Sequence, residues 1–335
     1  MIFYPNLKSL KQKLRVKPVN TGKKFNYRGI EYSDIEGLYA LVGINGCLHF
    51  KSGISFATFQ YRGQIEDFGV CNTTLDRCKS NAEQFLSICR TIAFEDILEV
   101  HPFIKYIQSL PPFGENSLCL NLTGLAQHYE LHTNYLDITN SFDVASFFAT
   151  CKYVDGKYYP ILNSSKHGVI YRINEMMLSP AIKTLDNDIE LEYLGWQPLP
   201  RPEEQKASVL KLSKGTNLDN IFGVEKHYFR HSSSQSRKIW KQFDKGKVLF
   251  PNDSAAALAN EYKTLTSFTE NQLKKALKRF KTWNGSELQN KEEVLDILKI
   301  QIVEDNKLSW NNLVETDFKY WDNKFHQTLK KVKFR

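Results

Sequence analysis

Between residues 81 and 110 apolar side chains recur at helical spacing: Phe85, Ile88, Cys89 and Ile92, then Ile97 and Leu98. That period predicts a helix with one buried face, restarted at Pro102 and stopped at Pro111-Pro112. Leu118–Tyr129 reads as a second helix. Asn140 or Ser141 stands where a cap belongs, ahead of Val144, Ala145, Phe147 and Phe148 on a third. Strand signals are shorter. Tyr39–Gly43 and Cys47–Phe50 flank Asn45-Gly46, a favoured hairpin dipeptide. Ile54–Tyr61 alternates bulky and small residues up to Gly63, which puts Arg62 at a strand end. Gly168–Ile173 and Ser208–Leu212 are two further strands. After Phe250-Pro251 the pattern turns helical. Thr269 opens a helix bearing Leu273, Leu277 and Phe280. Asn290, with Glu293 three residues on, looks like a capping box before Val294, Ile297 and Leu298. Phe325 and Leu329 keep helical spacing in the closing Trp321–Val332 segment.

The order is therefore strands, helices, strands, then a helical annex. It does not alternate strand and helix, so an α+β domain with a mixed sheet is expected in place of a doubly wound parallel one. Three regions follow: residues 1–50, a basic lead with small β elements; 51–250, the α+β domain; and 251–335, an all-helical extension. Neither G-x-G-x-x-G nor G-x-x-x-x-G-K-[ST] is present, which removes the usual dinucleotide and triphosphate cradles.

Composition narrows the class. With 335 residues, 41% of them hydrophobic and 24% charged, the chain buries a sizeable core and is not disordered throughout. No stretch approaches the roughly 20 apolar residues of a membrane-spanning helix, and no signal-peptide pattern opens the chain. A cytoplasmic protein without membrane contact is expected. Its six cysteines (Cys47, Cys71, Cys78, Cys89, Cys119 and Cys151) are expected as buried thiols. The net charge of +8 is uneven: residues 1–28 hold eight basic side chains and no acid, whereas 29–262 hold 22 basic and 27 acidic ones. The excess belongs to the flanks. Nucleic acid is accordingly a candidate partner for residues 1–28.

Two segments concentrate chemistry. In Tyr61-Arg62-Gly63-Gln64, a guanidinium beside glycine suits an anion, because the fork matches carboxylate or phosphate oxygens and glycine lets a ligand approach the backbone. The alternative is a structural arginine paired with a carboxylate such as Asp137. The second segment, Gly124–Ala149, places His128, Thr133, Asp137 and Thr139 around one helix exit and the next helix entry. His128 and His132 flank Glu130, but the zincin order puts Glu directly after the first His on a continuous helix, so no metal is expected.

On these residues the chain resembles the FRG domain family, named for an aromatic-Arg-Gly tripeptide. Tyr61-Arg62-Gly63-Gln64 fits that motif. Ala126, Gln127, His128, Tyr129, Leu131, Thr133, Leu136, Asp137, Thr139, Val144, Ala145, Phe148 and Ala149 fit its second signature, A-Q-H-Y-G-L-P-T-R-L-L-D-W-T followed by V-A-x-x-F-A. Arg201-Pro-Glu-Glu-Gln205 is a weaker third match. The resemblance spans roughly residues 50–250. It departs at Glu130, His132, Asn134 and Ile138, where Gly, Pro, Arg and Trp are expected; losing Gly and Pro should change how the loop turns.

More remotely, the layout is similar to that of ADP-ribosyltransferases, which implies their fold for the mixed-sheet domain. It also implies NAD as the substrate of a transferase or an NAD glycohydrolase acting in microbial defence or toxicity. In that reading Arg62, His128, Asp137 and Gln205 are catalytic, Arg62 holding phosphate or ribose and Gln205 meeting a ribose hydroxyl. Tyr61, Gln64, Tyr129, Thr133, Thr139 and Glu203 would bind NAD. Glycosyl transfer of this kind needs a carboxylate near an oxocarbenium-like centre, supplied by Asp137, Glu203 or Glu204. The alternative is a non-catalytic ligand- or nucleic-acid-binding module, or an interaction protein docking a partner on its last helices.

Overall fold

Small polar side chains open most helices of the computed structural model, which describes residues 2–14, 23–27, 30–33, 36–42, 47–54, 59–110, 117–178, 189–306, 310, 313–330 and 332–334. Asn6 caps α1 (Leu7–Lys13) and Ser80 caps α2 (Asn81–Glu99), each accepting from a backbone N–H of the first turn. Pro102 starts α3 (Pro102–Ser109) behind a His101 cap. Asn121 and Ser141 cap α4 (Leu122–His128) and α5 (Phe142–Thr150). The short α6 (Pro200–Glu204) and α7 (Ser233–Gln242) lack a side-chain cap. Asp253 caps α8 (Ser254–Tyr262), and Thr269 with Gln272 forms a full capping box on α9 (Glu270–Asn284). Asn290 precedes α10 (Lys291–Ile297) but has a φ of 48°, and its side chain donates to Glu293 without capping the backbone. The second capping box is therefore not formed. The last helix is α11 (Leu313–Leu329).

The central mixed sheet contains β1 (Ile2–Tyr4), β2 (Phe59–Gln64), β3 (Tyr135–Thr139), β4 (His167–Asn174), β5 (Ile189–Tyr193), β6 (Ala207–Leu212) and β7 (Val224–Arg230). Their spatial order is β1-β7-β4-β2-β3-β6-β5. Only β1 and β7 run parallel; the other neighbours are antiparallel. Strand alternation sorts the two faces. Val169, Tyr171 and Ile173 pack with Leu136, Ile138 and Leu210 on one side. Ile170, Tyr61 and Phe229 turn to the other, under α1 and α5. A larger apolar cluster joins α2, α4, α8 and α9.

Around the site the structure differs from the sequence expectation at three places. First, β2 runs on to Gln64, so Arg62 and Gly63 are interior to the strand. Gly63 serves close packing: a Cβ there would lie 1.8 Å from the Ala145 carbonyl oxygen on α5. Second, residues 135–139 form a central strand and not a connection between helices; the signal is only five residues long and is broken by Asp137. Third, the helix expected from Leu118 begins at Leu122, because Ser117–Leu118 pairs with Cys47–Leu48. Residues 43–46, 55–58 and 111–116, which include the Asn45-Gly46 turn and the Pro111-Pro112 stop, lie outside the described residues.

The flanks are built into the structure. The first residues pair with β7, and α1 buries Leu7 and Leu10, while 15–22 lie outside the description. The C-terminal region is not all helical: Ser267–Phe268 pairs with Gln301–Ile302, and Val332–Phe334 joins Glu36–Val42 in a four-stranded sheet with Cys47–Ile54 and Ser117–Leu118. Phe325 of α11 packs there with Phe50, Phe103 and Trp196. Cys47 and Cys119 are joined in a disulfide, so not all six cysteines are thiols. Among the described residues no helix is long and apolar enough to cross a membrane.

Gly63→Ala must push α5 off the sheet, since backbone and not a flexible side chain blocks the methyl group. Urea denaturation should show a loss of about 3 kcal/mol. A change within about 0.5 kcal/mol would contradict this packing.

Candidate functional site

The central sheet is weakest where the site lies. β2 and β3 pair at a single position, Tyr61 with Thr139, whereas β4 and β2 share a register from Phe59 to Gln64. Strands that diverge leave ladder groups without partners. Arg62 spans the opening and its Nη1 donates to the Asp137 carbonyl oxygen at 2.7 Å. Beside it is a cavity of about 150 Å³ lined by Arg62, His128, Asp137, Thr139 and Gln205, with Val144, Ala145 and Phe148 of α5 as an apolar wall.

Hydrogen-bond logic fixes the state of these groups. Gln205 Nε2 donates to the Leu249 carbonyl at 3.0 Å, which turns Oε1 toward His128 Nδ1, also at 3.0 Å. An amide oxygen only accepts, so Nδ1 carries the imidazole proton and Nε2 presents a lone pair. Burial pushes the His128 pKa down, against the pull of Asp137, and favours the neutral ring. Nε2 stands 3.7 Å from Asp137 Oδ1, beyond hydrogen-bonding distance.

A second chain sets Asp137. The Asp137 carboxylate only accepts, so the Gln127 amide turns Nε2 to Oδ2, to which it donates at 3.0 Å. Gln127 Oε1 then takes the Thr133 hydroxyl hydrogen at 2.5 Å, and Thr133 Oγ1 also accepts from Tyr135 N. Asp137 Oδ1 is left over. Together with His128 Nε2 and Arg62 Nε it is buried without a hydrogen-bond partner among the described residues. Two acceptors and one donor at the site are thus left unpaired, the donor on its cation and one acceptor on its carboxylate.

The remaining candidate residues divide. Tyr61 lines the cavity, and Thr139 does too, but the Thr139 hydroxyl is committed to Gln205 O and Ser141 N. Gln64 lies near Cys71, at 3.6 Å from its sulfur. The Tyr129 hydroxyl donates to Asp253 at 2.8 Å, and its ring lies under Arg201. Thr133 borders a separate cleft of about 430 Å³. Glu203 pairs with Lys324 at 3.5 Å. Neither Glu203 nor Glu204 lines the cavity, which leaves Asp137 as its carboxylate. Gln205, with both amide ends engaged, anchors His128.

Three supporting residues had no role assigned from sequence. Gln127 was visible within the A-Q-H-Y match, but its role depends on its partners. Arg201, whose Nη1 donates to His128 O at 3.0 Å, was likewise a motif position. Arg77 had no motif at all; it lies close enough to Arg62 and Asp137 to interact electrostatically with both. Glu130 keeps a glycine-like φ of 68° and pairs with Lys263, so the loop turns as glycine would make it turn, despite the substitution. His132 points elsewhere than His128, with its Nδ1 3.4 Å from Ser87 Oγ.

Residues 57–157 match the family model of the FRG domain, and the chain carries that domain. The matched span includes Arg62, Gln127, His128, Asp137 and Thr139. No curated protein and no solved structure matches the chain.

Long-range ¹H–¹⁵N NMR at pH 7 should find His128 neutral with the proton on Nδ1, because burial displaces its pKa below the ordinary 6.5. An imidazolium at that pH, or a proton on Nε2, would overturn the assignment.

Proposed function

We propose that the FRG domain of this chain binds NAD through the cavity at the β2–β3 opening and breaks its nicotinamide–ribose bond. The observation that carries this reading is the convergence of Arg62, His128 and Asp137 there, each with an unpartnered buried polar atom. A ribose supplies two adjacent hydroxyl donors, which complement His128 Nε2 and Asp137 Oδ1. A phosphate or carbonyl oxygen complements Arg62 Nε. The cavity holds a sugar-sized group and not a whole dinucleotide, so the rest of NAD would lie outside it.

Cleavage sends the bonding electron pair to nicotinamide and leaves positive charge on the ribose carbon. The Asp137 carboxylate stabilises that charge within a partly water-excluded site, where electrostatic interactions are strong. His128 holds the sugar through its unprotonated nitrogen, and Gln205 and Arg201 hold His128. Water as the acceptor gives an NAD glycohydrolase; a macromolecular nucleophile gives an ADP-ribosyltransferase. This division of labour is similar to that of ADP-ribosyltransferases, with the negative charge on a mid-sheet aspartate and the late glutamine in a supporting place.

Purified protein incubated with NAD should release nicotinamide, with or without label transfer to protein, DNA or RNA. Asp137→Asn and Arg62→Ala should each lower the rate by about 100-fold or more while the fold is retained by circular dichroism. Absence of both nicotinamide release and NAD binding in the wild type would sink the reading.

A further inference from the structure

A second surface, distant in character from the cavity, gathers positive charge. Helix α7 exposes Arg237, Lys238 and Lys241, which at spacings of one and four residues share one side. Arg230 lies ahead of the helix and Lys245 and Lys247 follow it, all exposed. From Arg230 to Lys247 the only acidic residue is Asp244. α1 reaches this helix through Lys8 N, which donates to Gln235 Oε1 at 3.3 Å, and through Ile239, which packs on the cluster containing Leu7, Leu10 and Leu14. Lys8 is exposed at this contact, while Lys11 is drawn to Asp143 at 2.6 Å.

The same helix borders an aromatic edge. Cys151–Val154 and Lys157–Pro160 form an antiparallel hairpin. Trp240 Nε1 donates to the Tyr158 carbonyl at 2.7 Å, fixing the hairpin to α7. The Lys245 ammonium lies 5.5 Å from the Trp240 ring centre, and the Tyr153 ring lies 5.0 Å from Tyr158. Tyr153 is 55% exposed beside the Tyr158 ring. Tyr159 is 44% exposed too, but it pairs with Lys152 across the ladder and so faces the opposite side of the hairpin.

We propose that α7, α1 and the Tyr153 side of this hairpin form a binding surface for single-stranded nucleic acid. The cations meet phosphates, and Tyr153 offers a ring on which an unpaired base can stack. A closed duplex presents no such base. An anionic membrane fits less well, because the exposed side of α7 carries no large apolar side chain to enter a lipid interface. The inference stands on residues apart from the cavity and holds whether or not NAD is bound or cleaved.

Fluorescence anisotropy with a labelled 20-nucleotide oligothymidine, and with a duplex of equal length, tests it between 50 and 200 mM salt. The wild type should prefer the single strand by about tenfold and lose affinity steeply with salt. Arg237→Glu/Lys238→Glu/Lys241→Glu should weaken binding at least about tenfold and flatten the salt slope. Tyr153→Ala should cost about tenfold and Tyr159→Ala almost nothing, with all variants checked for native melting. Absence of oligothymidine binding at 50 mM salt, equal affinity for the duplex, or equal losses for the two tyrosine variants would each overturn the proposal. Binding to anionic vesicles in place of the oligonucleotide would do the same.

Discussion

The contact between Arg62 and the main-chain carbonyl of Asp137 is the constraint on which the site depends. Two strands that meet at one residue pair cannot close a ladder, and an open seam in a central sheet exposes backbone groups that need partners. A guanidinium is long enough and rich enough in donors to cross the seam, and its hydrogen bond to a carbonyl is charge-assisted, of order 1.5–3 kcal/mol. The crossing leaves Nε without a hydrogen-bond partner among the described residues. One residue thus braces the sheet and keeps one donor unpaired.

The other polar groups are held by chains of directed hydrogen bonds. The acceptor-only Asp137 carboxylate turns the Gln127 amide, whose oxygen takes the Thr133 hydrogen, and Tyr135 N donates to the same hydroxyl. Leu249 O decides the Gln205 amide and, through it, the proton on His128. Networks of this kind rigidify when satisfied and are costly when broken. Here each chain stops one atom short of completion, and the two stops, Nε2 and Oδ1, lie 3.7 Å apart. Two acceptors so close favour a ligand that brings hydroxyl donors to both.

Much of this was legible in the sequence, for identifiable reasons. The long apolar period of α2, the Pro102 restart and the Ser141 cap are local signals and gave elements of the right type. The ordered motifs gave Arg62, His128, Asp137 and Gln205, which do line one cavity. Strand β3 was hidden because five residues with a central aspartate lack a clear period, although Leu136 and Ile138 face the apolar side. The role of Gln205 was hidden because an amide's function depends on what its two ends touch. Arg77 was hidden because an arginine in a loop has no sequence signature. Glu130 takes a left-handed φ where glycine was expected, at a cost of about 1 kcal/mol, and its pairing with Lys263 is a long-range fact.

The charge balance reads differently once the chain is folded. The basic start is not a detached lead, since β1 pairs into the sheet, α1 packs on it, and Lys8 meets α7. The cavity, by contrast, depends on single groups and their directions. A crystal structure of the protein soaked with ADP-ribose examines that dependence most directly. The account requires ribose hydroxyls within hydrogen-bonding distance of His128 Nε2 and Asp137 Oδ1, and a ligand oxygen on Arg62. Ribose seated elsewhere, with His128 Nε2 and Asp137 Oδ1 bridged by water alone, would contradict it.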